Sequence, residues 1–407
     1  MKYLLFCLLL VSGFYNSAIG ASPNTPYVLL ISLDGYRYDY NEKFKPPFMQ
    51  SFMANSARAK ALIPVFPSKT YTNHWSIMTG MYAGKHGIVG NEFFDRTSQR
   101  FFSISTPVAQ EAHWYRGSAI WTVARQQQVK TASLFWPGDH VDQPERRPDY
   151  SRPYKHNSPH SESIDQILTW FKLSEAERPH FVSLYFSDLD DAGHLYGPDA
   201  PEVRSAALRV DQTLATLWQQ LNLLPFKVNV IIVSDHGMES IQNAEKLIVE
   251  NLLPANSKVK LVDDGTLTSI FTKDTAQKKA LLANLTTDKR FTVYDAANFP
   301  ANLNLSNTPL LGDILLSANP GYYFVRYKWQ ESKKGGVHGY NPRTTPNMRG
   351  IFYAQGPDIR AVDLPEFENI HIHPFILRLL RLKTASAIDG DTKVLSAALK
   401  EAVPSPE

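Results

Sequence analysis

Residues 27–35 read YVLLISLDG, an unbroken apolar run that ends in an aspartate and a glycine. Runs of this kind are typical of strands that are buried on both faces, as in a parallel sheet. Four further β-rich runs follow at 130–139, 181–190, 228–237 and 350–357. Helical stretches are predicted between them at 161–173, 201–222 and 243–253. This alternation predicts an α/β fold, with a central, mostly parallel sheet and helices on both faces.

The segment 257–330 has a different pattern. Its runs SIFTKD, AQKKALLANL, RFTVYDA and GYYFVRY indicate a small unit of strands and a helix. We therefore expect residues 21–407 to form a single domain, with 257–330 as a small α+β subdomain inserted within it.

The first 20 residues, MKYLLFCLLLVSGFYNSAIG, resemble an export signal: a lysine, an apolar run at 3–11 and then small residues. The run is shorter than the ~20 residues that a membrane-spanning helix needs, which argues against an anchor. The chain's only cysteine, Cys7, lies in this segment. A mature chain without cysteine favours a bacterial periplasm among exported destinations. We find no later membrane anchor in the sequence, so a secreted or periplasmic protein is expected.

The charge of the chain is nearly balanced, with 42 basic and 39 acidic residues and no long Lys/Arg block. Proteins that bind polymeric nucleic acid usually carry a basic patch. The composition therefore does not indicate such a partner.

Aspartates and histidines stand in four glycine-marked turns. They are Asp34 in SLDGYR, Asp190 and His194 in DLDDAGH, Asp235 and His236 in SDHGM, and His338 in GGVHGY. In open α/β sheets, residues at the carboxyl ends of the strands gather at one edge. Carboxylates gathered there repel each other unless cations neutralise them, and mixed Asp/His sets are what zinc or another borderline divalent ion binds. A single such aspartate is usually a cap or turn residue, so the set as a whole predicts a site for two divalent cations.

Other histidines compete for the role of metal ligand. His86, His371 and His373 do not adjoin an aspartate at a strand end. We expect them to be packed or solvated side chains.

The segment 64–91, PVFPSKTYTNHWSIMTGMYAGKHGIVGN, contains a candidate nucleophile. Helix character over 71–78 places Thr70 at or near a helix N-terminus. Its hydroxyl there is either a simple N-cap or, beside a metal ion that lowers its pKa, a nucleophile. The unpaired N–H groups of a helix start also suit a phosphate.

These motifs together resemble the nucleotide pyrophosphatase/phosphodiesterase family of the alkaline phosphatase superfamily. The resemblance rests on LDGYR, on PVFPSKT followed by HGIVGN, on WPG at 136–138, on D-x-x-G-H at 190–194, on SDHGM and on HGY at 338–340. It implies an alkaline-phosphatase-like fold and two zinc ions per chain. One would be held by Asp190, His194 and His338. The other would be held by Asp34, Asp235, His236 and the oxygen of Thr70.

The resemblance also implies a mechanism. Thr70 would attack phosphorus to form a phospho-threonine ester, which water then cleaves, while Asn91 donates a hydrogen bond to a phosphate oxygen. Asn91 follows a glycine, so an ordinary turn residue is the alternative. The sequence departs from the family pattern at Asn341-Pro342, where Asp-Asn is usual, and at Asp139, where a small residue is usual.

The resemblance implies that Tyr71, Ile104 and Tyr154 line a substrate slot. Aromatic walls stack on nucleobases, which favours a nucleotide diester or anhydride that is cut to release a nucleoside 5′-monophosphate. Tyrosines also hold choline, so a choline phosphodiester or lysophospholipid substrate is an alternative. For Tyr154, a role in ordinary core packing is the alternative to lining the slot. A non-catalytic zinc- or phosphate-binding protein is the alternative from another class.

A preference for diesters is expected from the surroundings of Thr70. Enzymes built for monoesters generally add a cation beyond the two metals. The basic residues considered are Lys69, beside Thr70, and Arg37 and Lys85 at a distance. We expect each to be a solvated surface charge.

Overall fold

The computed structural model describes residues 25–305, 309–327, 329, 335–384 and 387–400. The predicted export signal lies outside these residues. The described strands are β1 (Tyr27–Leu33), β2 (Ala57–Ala59), β3 (Leu62–Ile63), β4 (Glu92–Asp95), β5 (Arg100–Ser103), β6 (Thr131–Leu134), β7 (Tyr150–Arg152), β8 (Phe181–Phe186), β9 (Val228–Val233), β10 (Glu239–Ser240), β11 (Glu245–Ile248), β12 (Lys260–Asp263), β13 (Leu267–Phe271), β14 (Phe291–Asp295), β15 (Ile314–Ala318), β16 (Tyr322–Val325), β17 (Gly336–Val337), β18 (Phe352–Gln355), β19 (Val362–Leu364) and β20 (Phe367–Glu368).

The described α-helices are α1 (Tyr40–Phe44), α2 (Pro47–Ala54), α3 (Thr70–Thr79), α4 (Ala83–His86), α5 (Ile120–Gln126), α6 (His160–Phe171), α7 (Asp188–Tyr196), α8 (Pro201–Asn222), α9 (Val249–Leu252), α10 (Thr275–Leu285) and α11 (Ile372–Leu379). Helices α6 and α8 confirm the predictions at 161–173 and 201–222. Among the described helices, none is both long enough and apolar enough to cross a bilayer.

The central sheet has eight strands in the order β19-β2-β18-β9-β1-β8-β6-β7. Strand β1 lies between β9 and β8 and is parallel to both. The parallel arrangement continues through β6 to β7. Strand β18 is antiparallel to both β9 and β2. The apolar run at 350–357 therefore indicates a strand that is buried on both faces. It does not indicate the direction of that strand, which is opposite to the direction of β9.

Helices cover both faces of this sheet, because successive side chains of β1 point into two different cores. Leu30 is fully buried in a core that includes residues of α3, α5 and α11. Ile31 is buried in a second core that includes residues of α1, α2, α6 and α8. The prediction of a mostly parallel sheet between two helical layers is confirmed.

The segment 257–330 contains a separate antiparallel sheet in the order β12-β13-β15-β14. Leu281 and Leu285 of α10 pack in the same core as residues of this sheet. Strand β16 pairs in parallel with β11, so this unit extends back to Glu245. Its status as an inserted subdomain stays a prediction.

The prediction of a helix at 243–253 is wrong. Residues 245–248 form strand β11, and only Val249–Leu252 are helical. The pairing of β11 with β16 decides the conformation here. A partner so distant in the sequence leaves no local signal, so tertiary pairing overrides the helix propensity.

We expect Leu30→Ala to lower the free energy of unfolding by about 2–5 kcal/mol, because it opens a cavity in the central strand of the sheet. Leu223→Ala is the matched control, since this leucine is 77% exposed. Its loss should stay within about 0.5 kcal/mol. Denaturant unfolding of both variants provides the measurement. Equal losses would contradict the placement of β1 at the centre of the core.

Candidate functional site

The predicted ligands meet at the carboxyl edge of the central sheet. Asp34 directly follows β1, and its N–H donates to the carbonyl of Phe186 at the end of β8 (2.9 Å). Helix α7 starts two residues after β8 and carries Asp190 and His194 one turn apart. Asp235 follows β9 by two residues, and its Oδ1 accepts from the N–H of Gly35 (3.3 Å). Parallel strands thus deliver the acidic side chains to one place.

One group of candidate ligands is formed by Asp34, Asp235 and His236, whose ligand atoms lie within 4.8 Å of one another. The Nε2 of His236 is 3.0 Å from Asp235 Oδ2 and 3.4 Å from Asp34 Oδ1. Burial, followed by repulsion from Asp235, raises the pKa of Asp34 well above its usual value. Burial and the Asp190 carboxylate raise the pKa of Asp235 in the same way.

A second group is formed by Asp190, His236 and His338. The predicted ligands of this ion are Asp190, His194 and His338, so His236 stands in this group where His194 was expected. The Nε2 of His194 nevertheless lies 3.4 Å from Asp190 Oδ2. The rings of His236 and His338 stack with centroids 3.6 Å apart, so the two groups adjoin.

The three histidines share one orientation. Each points its Nδ1 at a backbone carbonyl: His194 at Gly336 (2.8 Å), His236 at Gly237 (2.9 Å) and His338 at Ser68 (2.8 Å). A carbonyl oxygen only accepts, so each Nδ1 donates and each Nε2 is directed toward the carboxylates. This is the usual orientation of metal-binding histidines. The Ser68 carbonyl thus holds His338 although Asn341-Pro342 departs from the family pattern.

The carboxylates fit divalent cations as well. Three of their oxygens are buried without a hydrogen-bond partner in the described part of the chain: Asp34 Oδ1, Asp190 Oδ1 and Asp235 Oδ2. Buried carboxylate oxygens that lack donors are costly unless a cation compensates them. Together with the three Nε2 atoms they form a donor set suited to a borderline cation such as zinc.

Thr70 lies beside this donor set. It is the first residue of α3, and Lys69 occupies the N-cap position in an extended conformation without a side-chain cap. Of the two interpretations of the Thr70 hydroxyl, the simple N-cap is therefore wrong. Its Oγ1 lies 3.2 Å from His236 Nε2.

Two neighbours of the site were missed in the sequence. His74, one turn after Thr70, donates from Nδ1 to the Thr70 carbonyl (2.8 Å), and Ser32 donates to its Nε2 (2.9 Å). Burial lowers the pKa of His74 to about 3, so this side chain is neutral. Tyr185 donates from its hydroxyl to Asp34 Oδ2 (2.6 Å). The i, i+4 spacing from Thr70 and the place of Tyr185 near the end of β8 were the available signals.

A cavity of about 470 Å³ opens over the donor set. Its lining includes nine of the predicted site residues: Asp34, Thr70, Tyr71, Asn91, Ile104, Tyr154, Asp190, His194 and His338. Asp235 and His236 are not part of the lining and are fully buried beside it. Tyr154 is 50% exposed, so it is a wall residue and not a member of the core.

Asn91 is oriented by the start of helix α3. The N–H of Tyr71 donates to its Oδ1 (3.2 Å). Because an N–H only donates, the amide oxygen must face the helix and the Nδ2 end must point elsewhere. No described residue accepts a hydrogen bond from this Nδ2. Asn91 lines the cavity, so a donor is available there.

The expectation of solvated basic residues near Thr70 is wrong for two of the three. Lys69 is 6% exposed and contacts Asp264, and Arg37 is 5% exposed and paired with Asp39 and Asp199. Lys85 is exposed as expected, at 59% of its side chain, and is paired with Asp389. Local carboxylates satisfy all three charges.

Asp139, the second departure from the family pattern, lies at the cavity wall. It accepts hydrogen bonds from Ser133 and from its neighbour His140. Burial raises the pKa of Asp139. Both Asp139 and His140 line the cavity, so the departure places an ionisable pair beside the slot.

The competing histidines have other partners. His86 is within 2.8 Å of Ser76 Oγ, His373 donates to the Met78 carbonyl and His371 accepts from the N–H of Asp391. None of them joins either ligand group within the described residues.

Comparisons with known proteins follow this geometry. The sequence profile described as "Type I phosphodiesterase / nucleotide pyrophosphatase" matches residues 28–341. The chain belongs to this family. A venom phosphodiesterase of Macrovipera lebetinus is 32% identical over 373 residues, 88% of this chain and 43% of the relative. Human ectonucleotide pyrophosphatase/phosphodiesterase family member 1 is 30% identical over 398 residues, 94% of this chain and 43% of the relative.

This member of the nucleotide pyrophosphatase/phosphodiesterase family spans less than half the length of those two relatives. A solved structure, murine ectonucleotide pyrophosphatase/phosphodiesterase 5, matches with a TM-score of 0.85 and 26% identity. The match covers 92% of this chain and 100% of the murine one. An inactive threonine-to-alanine variant of the murine protein in complex with AMP matches equally well. The predicted fold class is thereby confirmed.

We expect His194→Ala and Asp235→Ala to lose bound metal, because each removes a donor and Asp235→Ala also leaves a site with less negative charge. His113→Ala is the control, since His113 is 46% exposed and lies outside both ligand groups. Metal analysis of the purified variants should give about two equivalents for the control and fewer for the other two. Two full equivalents in both site variants would refute the ligand assignment.

Proposed function

We propose that this chain is a two-zinc hydrolase that cleaves nucleotide phosphodiester or pyrophosphate bonds and releases nucleoside 5′-monophosphates. The observation that carries the proposal is the position of Thr70. Its hydroxyl opens into the cavity at a helix N-terminus, 3.2 Å from His236 and beside carboxylates that need cations. The names of the relatives, venom phosphodiesterase and ectonucleotide pyrophosphatase/phosphodiesterase, support the same reaction.

Thr70 is the proposed nucleophile. Its oxygen gives up its proton to solvent and bonds to phosphorus while the bond from phosphorus to the leaving-group oxygen breaks, and the leaving group takes up a proton from water. A phospho-threonine ester remains. Water then bonds to this phosphorus as the bond to the Thr70 oxygen breaks, and a proton from that water restores the Thr70 hydroxyl while the nucleoside 5′-monophosphate leaves. When bound, the two cations lower the pKa of oxygens near them and neutralise the carboxylates. The inactive threonine-to-alanine variant of the murine relative supports a threonine in this role.

Asn91 and the start of α3 are proposed to hold the phosphate. The Nδ2 of Asn91 is directed away from the helix, because its Oδ1 accepts from Tyr71. A donor fixed in this way can stabilise charge on a non-bridging oxygen without reorganising during the reaction.

Nucleotides are the proposed substrates because of the aromatic slot. Tyr71 packs edge-on to Phe102, and Tyr154 packs edge-on to Phe135 and Tyr185, so both rings are held at the cavity. Rings fixed in this way can stack on a nucleobase, at about 1–3 kcal/mol per contact. The AMP complex of the murine relative supports this substrate class. Choline and lysophospholipid diesters are the competing substrates.

Export of the protein is proposed as well. The leader at 1–20 lies outside the described residues, and the periplasm is one possible destination. Relatives that are named as venom enzymes support an exported protein.

Replacing the nucleophile tests the reaction. We expect Thr70→Ala to lower kcat on a nucleotide diester by at least about 10³-fold while two metal equivalents remain, because only the attacking oxygen is lost. Thr216→Ala, at an exposed position of α8, is the matched control and should keep its rate. A Thr70→Ala enzyme that retains parental turnover would contradict the proposed nucleophile. No turnover by the metal-loaded parent would indicate a binding protein.

Replacing the slot tests the substrate class. Tyr154→Ala should reduce kcat/KM for a nucleotide diester by about 10-fold or more, since one stacking contact is lost. Methyl nitrophenyl phosphate places nothing in the slot, so its kcat/KM should change little. Rates on a choline phosphodiester and on nitrophenyl phosphate complete the comparison. Equal losses on both diesters, or a parent that prefers the monoester, would refute this interpretation of the pocket.

A further inference from the structure

One turn of the antiparallel sheet contacts three segments of the proposed catalytic site. It joins β12 to β13 and consists of Asp263, Asp264, Gly265 and Thr266, which we call the 263–266 turn. The turn is closed by hydrogen bonds from the N–H of Asp264 to the carbonyl of Leu267 and from the N–H of Thr266 to the carbonyl of Asp264.

The carboxylate of Asp264 binds the loop that contains Asn91. The N–H of Asn91 donates to Asp264 Oδ2 (3.1 Å). The preceding residue must be small, because a Cβ on Gly90 would lie 2.8 Å from the same oxygen. Asn91 is therefore held at two points: by Asp264 through its backbone and by the N–H of Tyr71 through its side chain.

The same turn binds the segment that precedes the nucleophile. Lys69 donates from Nζ to the carbonyl of Asp264 (2.6 Å), and its Nζ lies 3.5 Å from Asp264 Oδ1. Both side chains are shielded, at 8% and 13% exposure. Since Lys69 is the N-cap of α3, this contact ties the turn to the residue directly before Thr70.

The turn also touches the metal-ligand segment. Thr266 donates from its hydroxyl to the carbonyl of His338 (3.1 Å). A Cβ on Gly339 would lie 2.2 Å from Thr266 Oγ1 and 2.5 Å from Lys69 Cε. The three catalytic segments therefore converge on one turn, and two glycines make that approach possible.

We infer that Asp264 is a positioning residue, which holds Asn91 and the N-terminus of α3 in the geometry that the reaction needs. The inference rests on the proposed function, in which Asn91 donates to the phosphate. Asp264 itself neither lines the cavity nor belongs to a ligand group, so it acts through Asn91 and Lys69. The antiparallel sheet of segment 257–330 thus contributes to catalysis through the turn between β12 and β13.

A double-mutant cycle with Asn91 tests this inference. Asn91→Ala alone should lower kcat by about 10²–10³-fold, the usual cost of one lost oxyanion donor. Asp264→Ala alone should lower kcat by about 10- to 100-fold, as removal of an outer partner commonly does. KM should change little, because the substrate slot is intact. In the Asn91→Ala background, Asp264→Ala should cost clearly less than it does in the parent, because the side chain that Asp264 positions is already absent and only the contact with Lys69 remains to be lost.

Asp263→Ala is the matched control in the same turn. Asp263 accepts from Gly265 N and Thr268 Oγ1, and within the described residues it forms no hydrogen bond or ion pair with Asn91 or Lys69. Its rate should stay within about 3-fold of the parent. Asp264→Asn keeps the volume of the side chain and serves as the second variant if Asp264→Ala does not fold. It should show a smaller loss with the same dependence on Asn91.

Different outcomes separate this inference from the proposed function. A large loss in Asn91→Ala with parental rates in both Asp264 variants would overturn the positioning role alone. Full additivity of the two losses would overturn the positioning of Asn91, because the effect of Asp264 would then not pass through it. An equal loss in Asp263→Ala would overturn the role of Asp264 as a whole, because the effect would then belong to the turn and not to this carboxylate. A parental rate in Asn91→Ala would contradict the proposed phosphate contact itself.

Discussion

The site depends on one electrostatic constraint: three carboxylates share a buried place that the protein alone does not neutralise. Asp34, Asp190 and Asp235 each keep an oxygen without a hydrogen-bond donor among the described residues. Burial and mutual repulsion raise the pKa of Asp34 and Asp235. Charges crowded in this way are stable only with bound cations or with protons. The orientation of the neighbouring histidines, each with Nε2 directed toward these carboxylates, favours cations.

The fold satisfies this constraint through ordinary α/β geometry. Strands β1, β8 and β9 are adjacent and parallel, so the residues that follow them must meet at one edge. The helix that begins at Thr70 brings its first residue to that edge. The turn 263–266 supports the segments around this helix start from the antiparallel sheet. Scaffold and support therefore come from two different sheets.

The prediction from sequence succeeded where the signal is local and failed where it is not. The run at 27–35 and its counterparts report burial on both faces, so the sheet and the ligand-bearing turns were predictable from them. The helix expected at 243–253 was wrong because β11 takes its conformation from the distant β16. Likewise, the sequence around Lys69 does not predict its partner Asp264, which shields the charge of Lys69 from solvent. Tyr185 was missed for the same reason, since it contacts Asp34 from a neighbouring strand. His74 had a local signal, its i, i+4 spacing from Thr70, but its contact with Ser32 also joins two elements.

The most direct test of this account is a crystal structure of the zinc-loaded protein with AMP, with anomalous scattering used to locate the metal. Two zinc peaks about 4 Å apart are expected, one bound by Asp34, Asp235 and His236 and one by Asp190, His194 and His338. The phosphate of AMP should lie between the metals and Thr70, within hydrogen-bond distance of Asn91. Zinc peaks away from these side chains, or carboxylates paired only with protein donors, would contradict the account.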